Sequence, residues 1–550
     1  MAAMADDPTD PWRREAQTFP RLSDEMIERA LAYGREETFS EPAVLFERGQ
    51  RNIDFFLVLD GHVDIVADDF RTGRTNVYAY GQGQFTGEQN LFNQRKVLLG
   101  GIARPGARLL RIANADFRTF LVGEPDIGEI IIRAYILRRV GFIRHSRGGV
   151  LLVGRGGNSE VLRLRRFLSR NVYPIEMVDT DSDATAADLL RDLGITEDDL
   201  PIVVAPDRSI LKKPGNCQLA DALGISEPPE PGVVYDVAVA GAGPAGLAAA
   251  VYAASEGLKT IVLEPLAPGG QAGTSSKIEN YLGFPTGISG MALAGRAHIQ
   301  AQKFGARLSV SRSVTGIDCS VYPYRLTLDD GQSVLARSVV IATGARYRRL
   351  SAENYDRFEG NGVHYAATAM EAQVCSGQDI VVVGGGNSAG QAAVFLSRSC
   401  RHVHMLIRRG IATSMSDYLV QRIERSSQIT VHHPCEIAAL DGGDRLESVT
   451  WMDRENGATR QVPVGGLFVM IGASPNTEWL EGCIDLDRNG FVHTGAQCVK
   501  SPATTPYATS RSGIFAVGDV RGGSVKRVAS AVGEGSVVVQ AIHQFLQQGL

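Results

Sequence analysis

Two glycine-rich turns carry the strongest chemical signal in this 550-residue chain. The first, GAGPAG from Gly241 to Gly246, lies between the apolar run VVYDVAVA and the small-residue run LAAAVYAAS, and a further run, TIVLE, ends on Glu264. In a strand–turn–helix–strand order, Gly241 permits the tight turn, Gly243 lets the backbone approach a pyrophosphate, and Gly246 lets helix and strand pack closely. The helix N-terminus supplies amide donors to the phosphates, and Glu264 can accept from adenosine ribose hydroxyls. The second turn, GGGNSA, puts Gly384, Gly386 and Ala389 at the fingerprint positions, with Asn387 and Ser388 in the same loop. Its second strand ends in Arg408-Arg409 instead of an acid. A guanidinium there pairs bidentately with a 2′-phosphate, which favours NADPH over NADH. Two such units in one polypeptide imply one dinucleotide reducing another.

The rest of the chain must position those turns. At 550 residues it is too long for one hydrophobic core, and about three to five units are expected. A hydrophobic content of 44%, a charged content of 21% and 61 glycines describe a soluble globular chain rich in tight turns. The net charge of −5 gives no general basic field, so nucleic acid is not an expected partner. The start, MAAMADDPTDPWRREAQTFP, has no apolar run like that of a secretory signal, and no later segment offers about 18 uninterrupted apolar residues. A cytoplasmic protein with no membrane association is the expectation. Seven cysteines (Cys217, Cys319, Cys375, Cys400, Cys435, Cys483, Cys498) are scattered with no CxxC pair, so they read as buried reduced thiols and no metal site is expected.

Residues 1–22 are expected to be a disordered N-terminus. From 23 to 145, short apolar runs alternate with Gly and Asp turns, the pattern of a small antiparallel barrel followed by an apolar helix. Phe46 to Gly49, FFLVLDG ending at Gly61, and Gly87-Glu88 make this stretch resemble the cyclic-nucleotide-binding domains. The resemblance implies a phosphate loop at Gly87, Glu88 and Arg95. Here, however, Val97-Leu98 stand where hydroxyl and small residues would be wanted, so a barrel kept as a docking module is the competing expectation. Residues 148–225 alternate strand and helix as a small α/β layer. With Leu200-Pro201 opening the third strand they resemble the thioredoxin and glutaredoxin fold, but RGGNSEV replaces the CxxC of that family. A linker is expected at 226–233, SEPPEPG and one further residue.

From 234 onward further motifs join the two turns: PGGQAGTSSKIENYLGFP, IATGA, IGASPNT and SGIFAVGDVRGGSVKRVASAVGEG. Together they resemble the low-molecular-weight thioredoxin reductases. That resemblance implies an FAD domain in two parts, 234–347 and 478–550, with an NAD(P)H domain, 348–477, inserted between them. The full expectation is therefore a multidomain α/β protein: a cyclic-nucleotide-binding-like β-barrel, a small thioredoxin-like α/β domain, and two Rossmann-like domains. The resemblance also places Gln271, Asn280 and Gly344 at the flavin, Gly518-Asp519 on the ribityl chain, and Arg527 and Val528 at the start of a helix facing the isoalloxazine. It implies a homodimer. Where the family carries a redox dithiol as CATC, this chain has Ala366-Ala367-Thr368-Ala369. Hydride from NADPH to FAD is then followed by transfer to an unidentified acceptor, whether a ferredoxin or flavodoxin, a small molecule or a partner's disulfide. The alternative is a sensor signalling flavin or NADP state through the front domains.

Overall fold

The computed structural model describes residues 14–548 except 70–72, 88–90, 92–94, 145–148, 276–277, 279–280, 360, 366, 368, 444, 481 and 499–504. The chain divides into two units: the first holds residues up to Thr343 with Thr477–Asp485 and Val492 onward, the second Gly344–Asn476 with Leu486–Phe491.

The first unit begins with antiparallel strands in two sheets. One orders Arg35–Phe39, Ala107–Ile112 and Phe55–Asp60, and the other Ala43–Phe46, Gly100–Ala103, Val63–Asp69 and Gly73–Tyr80. Alternation along these strands turns Phe55 inward against Phe117 and Phe120 of the helix Asn114–Gly123, with ring centroids 5.2 and 5.9 Å apart. Residues 14–22, expected within a disordered N-terminus, are ordered instead: Thr18 is fully buried and Phe19 stacks on Tyr78 at 4.0 Å. The buried Arg138 explains this, because its Nε donates to the Thr18 carbonyl at 2.9 Å while its guanidinium lies over the Phe19 ring.

The next segment forms a four-stranded sheet in the order Ile210–Lys212, Ile202–Val204, Val150–Gly154, Ile175–Asp179, with helices Ser159–Arg170, Ala186–Asp192 and Asn216–Leu223. Asn158 caps the helix 159–170 by accepting from Glu160 N at 2.8 Å, and Val161, Leu164, Phe167 and Leu168 form its buried stripe. The Leu200–Pro201 peptide is cis, and a Cβ on Gly154 would meet Pro201 Cβ at 3.2 Å.

Ser226–Gly232, expected as a linker, is held at its start against the strand Arg307–Val310. Val310 N donates to Ser226 Oγ at 3.0 Å, Glu227 N donates to the Leu308 carbonyl at 2.9 Å, and Gln302 Nε2 donates to Glu227 at 2.9 Å. The buried Arg312 spans the same seam, bonding both Asp221 oxygens at 3.0 and 2.8 Å and Asp330 at 2.9 Å.

The large sheet of the first unit orders 307–310, 260–264, 234–240, 333–341, 324–328 and 314–318, and Ile514–Ala516 pairs in parallel with the end of 333–341. The chain thus leaves to build the second unit and returns to complete the sheet. Its first four strands run parallel and are buried on both faces, as their near-continuous Val, Ile and Ala content requires. One thiol expectation is corrected here. Cys319 and Cys483 form a disulfide, with Cα atoms 5.9 Å apart across a sequence separation of 164 residues. The turn after 314–318 and the segment after Leu480 converge, which spacing along the chain could not reveal.

The second unit centres on a five-stranded parallel sheet in the order 363–364, 466–469, 379–383, 402–406, 429–432. A three-stranded antiparallel sheet of 435–441, 448–453 and 459–463 accompanies it. Its entry and exit strands, Ala345–Tyr347 and Ala473–Pro475, pair as an antiparallel ribbon. Among the described residues, no helix is long and apolar enough to cross a membrane.

Candidate functional site

The first turn is built as its residue types require. Gly241 has φ +103, and a Cβ there would meet the Ala342 carbonyl at 2.4 Å. A Cβ on Gly246 would lie 1.9 Å from the Gly241 carbonyl, so the helix Pro244–Ser255 could not sit this close to the strand with any side chain at that position. Gly243 differs: nothing described lies within 4 Å of its Cβ direction, which leaves the backbone open to an approaching ligand. An open Gly243 at the N-terminus of a helix and a close-packed turn together fit a pyrophosphate.

Glu264 is buried and uses its carboxylate on the loop itself. Oε2 accepts from Ala242 N at 2.8 Å, and Oε1 accepts from Leu266 N at 3.0 Å and Ala267 N at 3.2 Å. Burial pushes its carboxyl above the ordinary value, and the three amides, with Arg170 nearby, pull against that. A carboxylate has about four acceptor positions, so one remains for a ribose hydroxyl.

The late Gly-Asp pair is brought to the same helix. A Cβ on Gly518 would meet Ala245 Cβ at 3.0 Å, and one on Gly535 would meet the Ala245 carbonyl at 2.2 Å. The helix Val528–Gln547 therefore crosses Pro244–Ser255 in close contact, with Arg527 as its N-cap and no side-chain cap bond. Asp519 is partly buried; burial raises its carboxyl pKa, Lys526 opposes this and Glu534 adds to it. Gln271 is exposed, while Asn280 and Glu88 lie outside the described residues.

In the second unit, Gly384 has φ +142, and a Cβ there would meet the Met470 carbonyl at 2.4 Å. Ala389 is fully buried beneath it, and Gly386 is open like Gly243. Asn387 is already engaged, since its Oδ1 accepts from Ser416 N at 2.7 Å and so folds the 410–416 loop back toward the turn. Ser388, Arg408 and Arg409 are exposed, and among the described residues no protein partner is recorded for either guanidinium, which leaves both free to take a phosphate. Gly344, at φ +65, opens this unit and accepts from Asn476 N at 3.1 Å. Ala369 begins the short helix Ala369–Val374, and Ala366 lies outside the described residues. Cys375, just beyond, is fully buried with Sγ 3.7 Å from the Gly465 carbonyl, and burial pushes its thiol up to about 12. It is therefore a poor nucleophile at neutral pH.

The front-domain candidates are placed elsewhere. Arg95, expected near a cyclic phosphate, is buried, and its Nη2 donates to the Asn171 carbonyl of the middle segment at 3.3 Å. Lys96 pairs with Asp207 of that same segment, and Val97 and Leu98 are buried. Gly87 takes φ +99, and its carbonyl accepts from Arg138 at 3.0 Å. Among the described residues, no group of side chains that could hold a metal ion is found.

Three contributors escaped sequence reasoning. Glu534 accepts from Gly518 N at 2.6 Å and pairs with Arg521 at 2.8 Å, locking the Gly-Asp turn. Its one legible sign is a lone acid within the apolar helix VASAVGEGSVVV. Arg170 and Asn171 reach the loop after Glu264 from the middle segment, and no local pattern announces that approach.

The later part of the chain is similar to known proteins. A family model described as pyridine nucleotide-disulphide oxidoreductase matches residues 235–535. A thioredoxin reductase of Streptomyces clavuligerus is 34% identical over 303 residues, 55% of this chain and 91% of that protein. NADPH-dependent thioredoxin reductase 3 of Arabidopsis thaliana is 32% identical over 321 residues, and the match spans 57% of this chain and 59% of that relative. A solved thioredoxin reductase from Giardia duodenalis aligns at 28% identity with a TM-score of 0.48, covering 57% of this chain and 99% of that one.

Proposed function

The chain belongs to the pyridine nucleotide-disulphide oxidoreductase family, on its thioredoxin reductase-like side, and from that premise we propose that it is an FAD-dependent NADPH oxidoreductase whose electrons leave without an internal CxxC. The observation that carries this reading is the coexistence of two dinucleotide turns, each following a strand paired in parallel with its neighbours, with a sequence that has no CxxC pair. Homologues of this type use FAD and NADPH.

Bound FAD would supply the two-electron chemistry between NADPH and the acceptor. Gly241, Gly243, Gly246 and the amides of helix 244–255 hold its pyrophosphate, Glu264 accepts from the adenosine ribose, and Asp519 accepts from the ribityl chain. Lys526, Arg527 and the N-terminus of helix 528–547 favour negative charge on the flavin ring. Arg408 and Arg409 take the 2′-phosphate of NADPH. Ala366 and Ala369 stand where the related enzymes have their dithiol, so the acceptor is an external one: a ferredoxin or flavodoxin, a small molecule, or a partner's disulfide.

The front strands are read as a cyclic-nucleotide-binding-like barrel and the segment 148–225 as a thioredoxin-like domain without its dithiol. Both serve as packing modules on the flavin half, a role supported by Arg95 and Lys96 facing the middle segment. The domain limits of the sequence reading, and a homodimer, stand as part of this proposal. A sensor role is the second reading, favoured by the hydrogen bonds that tie the middle segment to the loop after Glu264. A steady-state screen with NADPH and thioredoxin, ferredoxin, quinones or oxygen tests the function. Slow turnover with thioredoxin and faster turnover with another acceptor is expected, and brisk thioredoxin reduction without added dithiol contradicts it.

A further inference from the structure

Resting on the reading of the first turn as the FAD site, we propose that the middle segment supplies Arg170 to the adenosine-diphosphate end of that site, so that the dinucleotide is held by two modules of the chain. The helix 159–170 ends at Arg170, and the turn that follows passes through Val172 at φ +55, a conformation a β-branched residue seldom adopts. Bonds from both sides pin this turn. From the front domain, Arg95 Nη2 donates to the Asn171 carbonyl at 3.3 Å, and Arg139 Nε to the Val172 carbonyl at 3.1 Å. Toward the first turn, Asn171 Nδ2 donates to the Leu266 carbonyl at 3.1 Å, and Arg170 Nη2 to the Gly270 carbonyl at 3.1 Å.

Gly270 lies against the pyrophosphate turn, since a Cβ on it would meet Gly243 Cα at 3.1 Å. The Arg170 guanidinium is thus fixed one residue away from the open backbone at Gly243, and its charge acts on Glu264. Of its five N–H donors, one is committed to Gly270, and no other partner is recorded among the described residues. A partly buried guanidinium with unspent donors beside the open backbone at Gly243 suits a diphosphate, which it can bond in a charge-assisted, two-pronged way. The thioredoxin reductase of Streptomyces clavuligerus aligns over 55% of this chain. The family match covers residues 235–535, so Arg170 lies outside the matched part.

The test is titration of the full-length apoprotein with FAD, followed by flavin fluorescence, with the melting temperature of the apoprotein as a control. Arg170→Ala is expected to weaken FAD about 10- to 100-fold, the scale of a charged hydrogen bond. Arg170→Lys should fall between that variant and the unsubstituted protein, and the apoprotein melting temperature should hold in both. Asn171→Ala, which removes the side-chain bonds to the Phe167 and Leu266 carbonyls, should change FAD affinity much less. Unchanged affinity in Arg170→Ala overturns the proposal, as does a loss in Asn171→Ala equal to that in Arg170→Ala, which would make the turn a mere strut. If the unsubstituted chain takes up no FAD at all, the reading of the first turn fails, a result distinct from either of these.

Discussion

At the scale of single residues, the proposed 2′-phosphate site rests on Arg408 and Arg409, exposed just past strand 402–406. Removing a charged hydrogen bond costs about 1.5–3 kcal/mol. Arg408→Ala should therefore raise the KM for NADPH at least tenfold and leave that for NADH nearly unchanged; equal effects would remove the 2′-phosphate role. The cysteines give a second check. Without reductant in denaturant, Cys217, Cys375, Cys400, Cys435 and Cys498 should titrate, with Cys319 and Cys483 appearing only after reduction. In the native protein Cys375 should be slow to alkylate, because burial holds its thiol near 12. His298 supplies a pH signature. Buried near Arg95, with no partner for its Nε2 among the described residues, it has a folded pKa of about 3 against an ordinary 6.5. The unfolded chain then binds the proton first, so stability falls as pH drops from about 6.5 toward 3, by up to about 1.4 kcal/mol per unit. Urea unfolding at pH 7.5 and 5 should show His298→Leu gaining on the unsubstituted protein at the lower pH; a constant difference would contradict this.

At the scale of elements, the two glycines of the first turn separate folding from binding. Gly246→Ala forces a Cβ to within 1.9 Å of the Gly241 carbonyl, so helix and strand must part and the protein should lose stability along with FAD. Gly243→Ala meets no described atom within 4 Å, so circular dichroism and melting should be retained while FAD affinity drops. Loss of fold in both variants would contradict the distinct roles. These turns were legible in the sequence because each packs a strand, a tight turn and a helix into one short window, and the same holds for the alternating elements of 150–223. Arg170 and the Cys319–Cys483 disulfide were not, because each acts across a long sequence separation on a partner that no local pattern marks, and Glu534, 16 residues from Gly518, showed only as a lone acid in an apolar helix. Arg95 was misplaced for a related reason: its position after Gly87 suggested a loop ligand, but the middle segment offered it the Asn171 carbonyl.

At the scale of the whole chain, the front modules share a hydrophobic core with Ile299 and Val310 of the flavin half, which makes them part of that unit's packing. With Arg95 and Lys96 turned to the middle segment, calorimetry with cyclic AMP or cyclic GMP should show no micromolar binding, and tight binding would restore the front strands as a ligand sensor. In the proposed reaction, hydride enters at the flavin and leaves by a route other than an internal dithiol. Anaerobic titration of the FAD-loaded protein with NADPH tests it most directly, because electrons taken up are counted against flavin. One equivalent of NADPH per FAD should bleach the flavin absorbance with no further consumption. An absence of bleaching, or steady uptake of a second equivalent, would contradict the account.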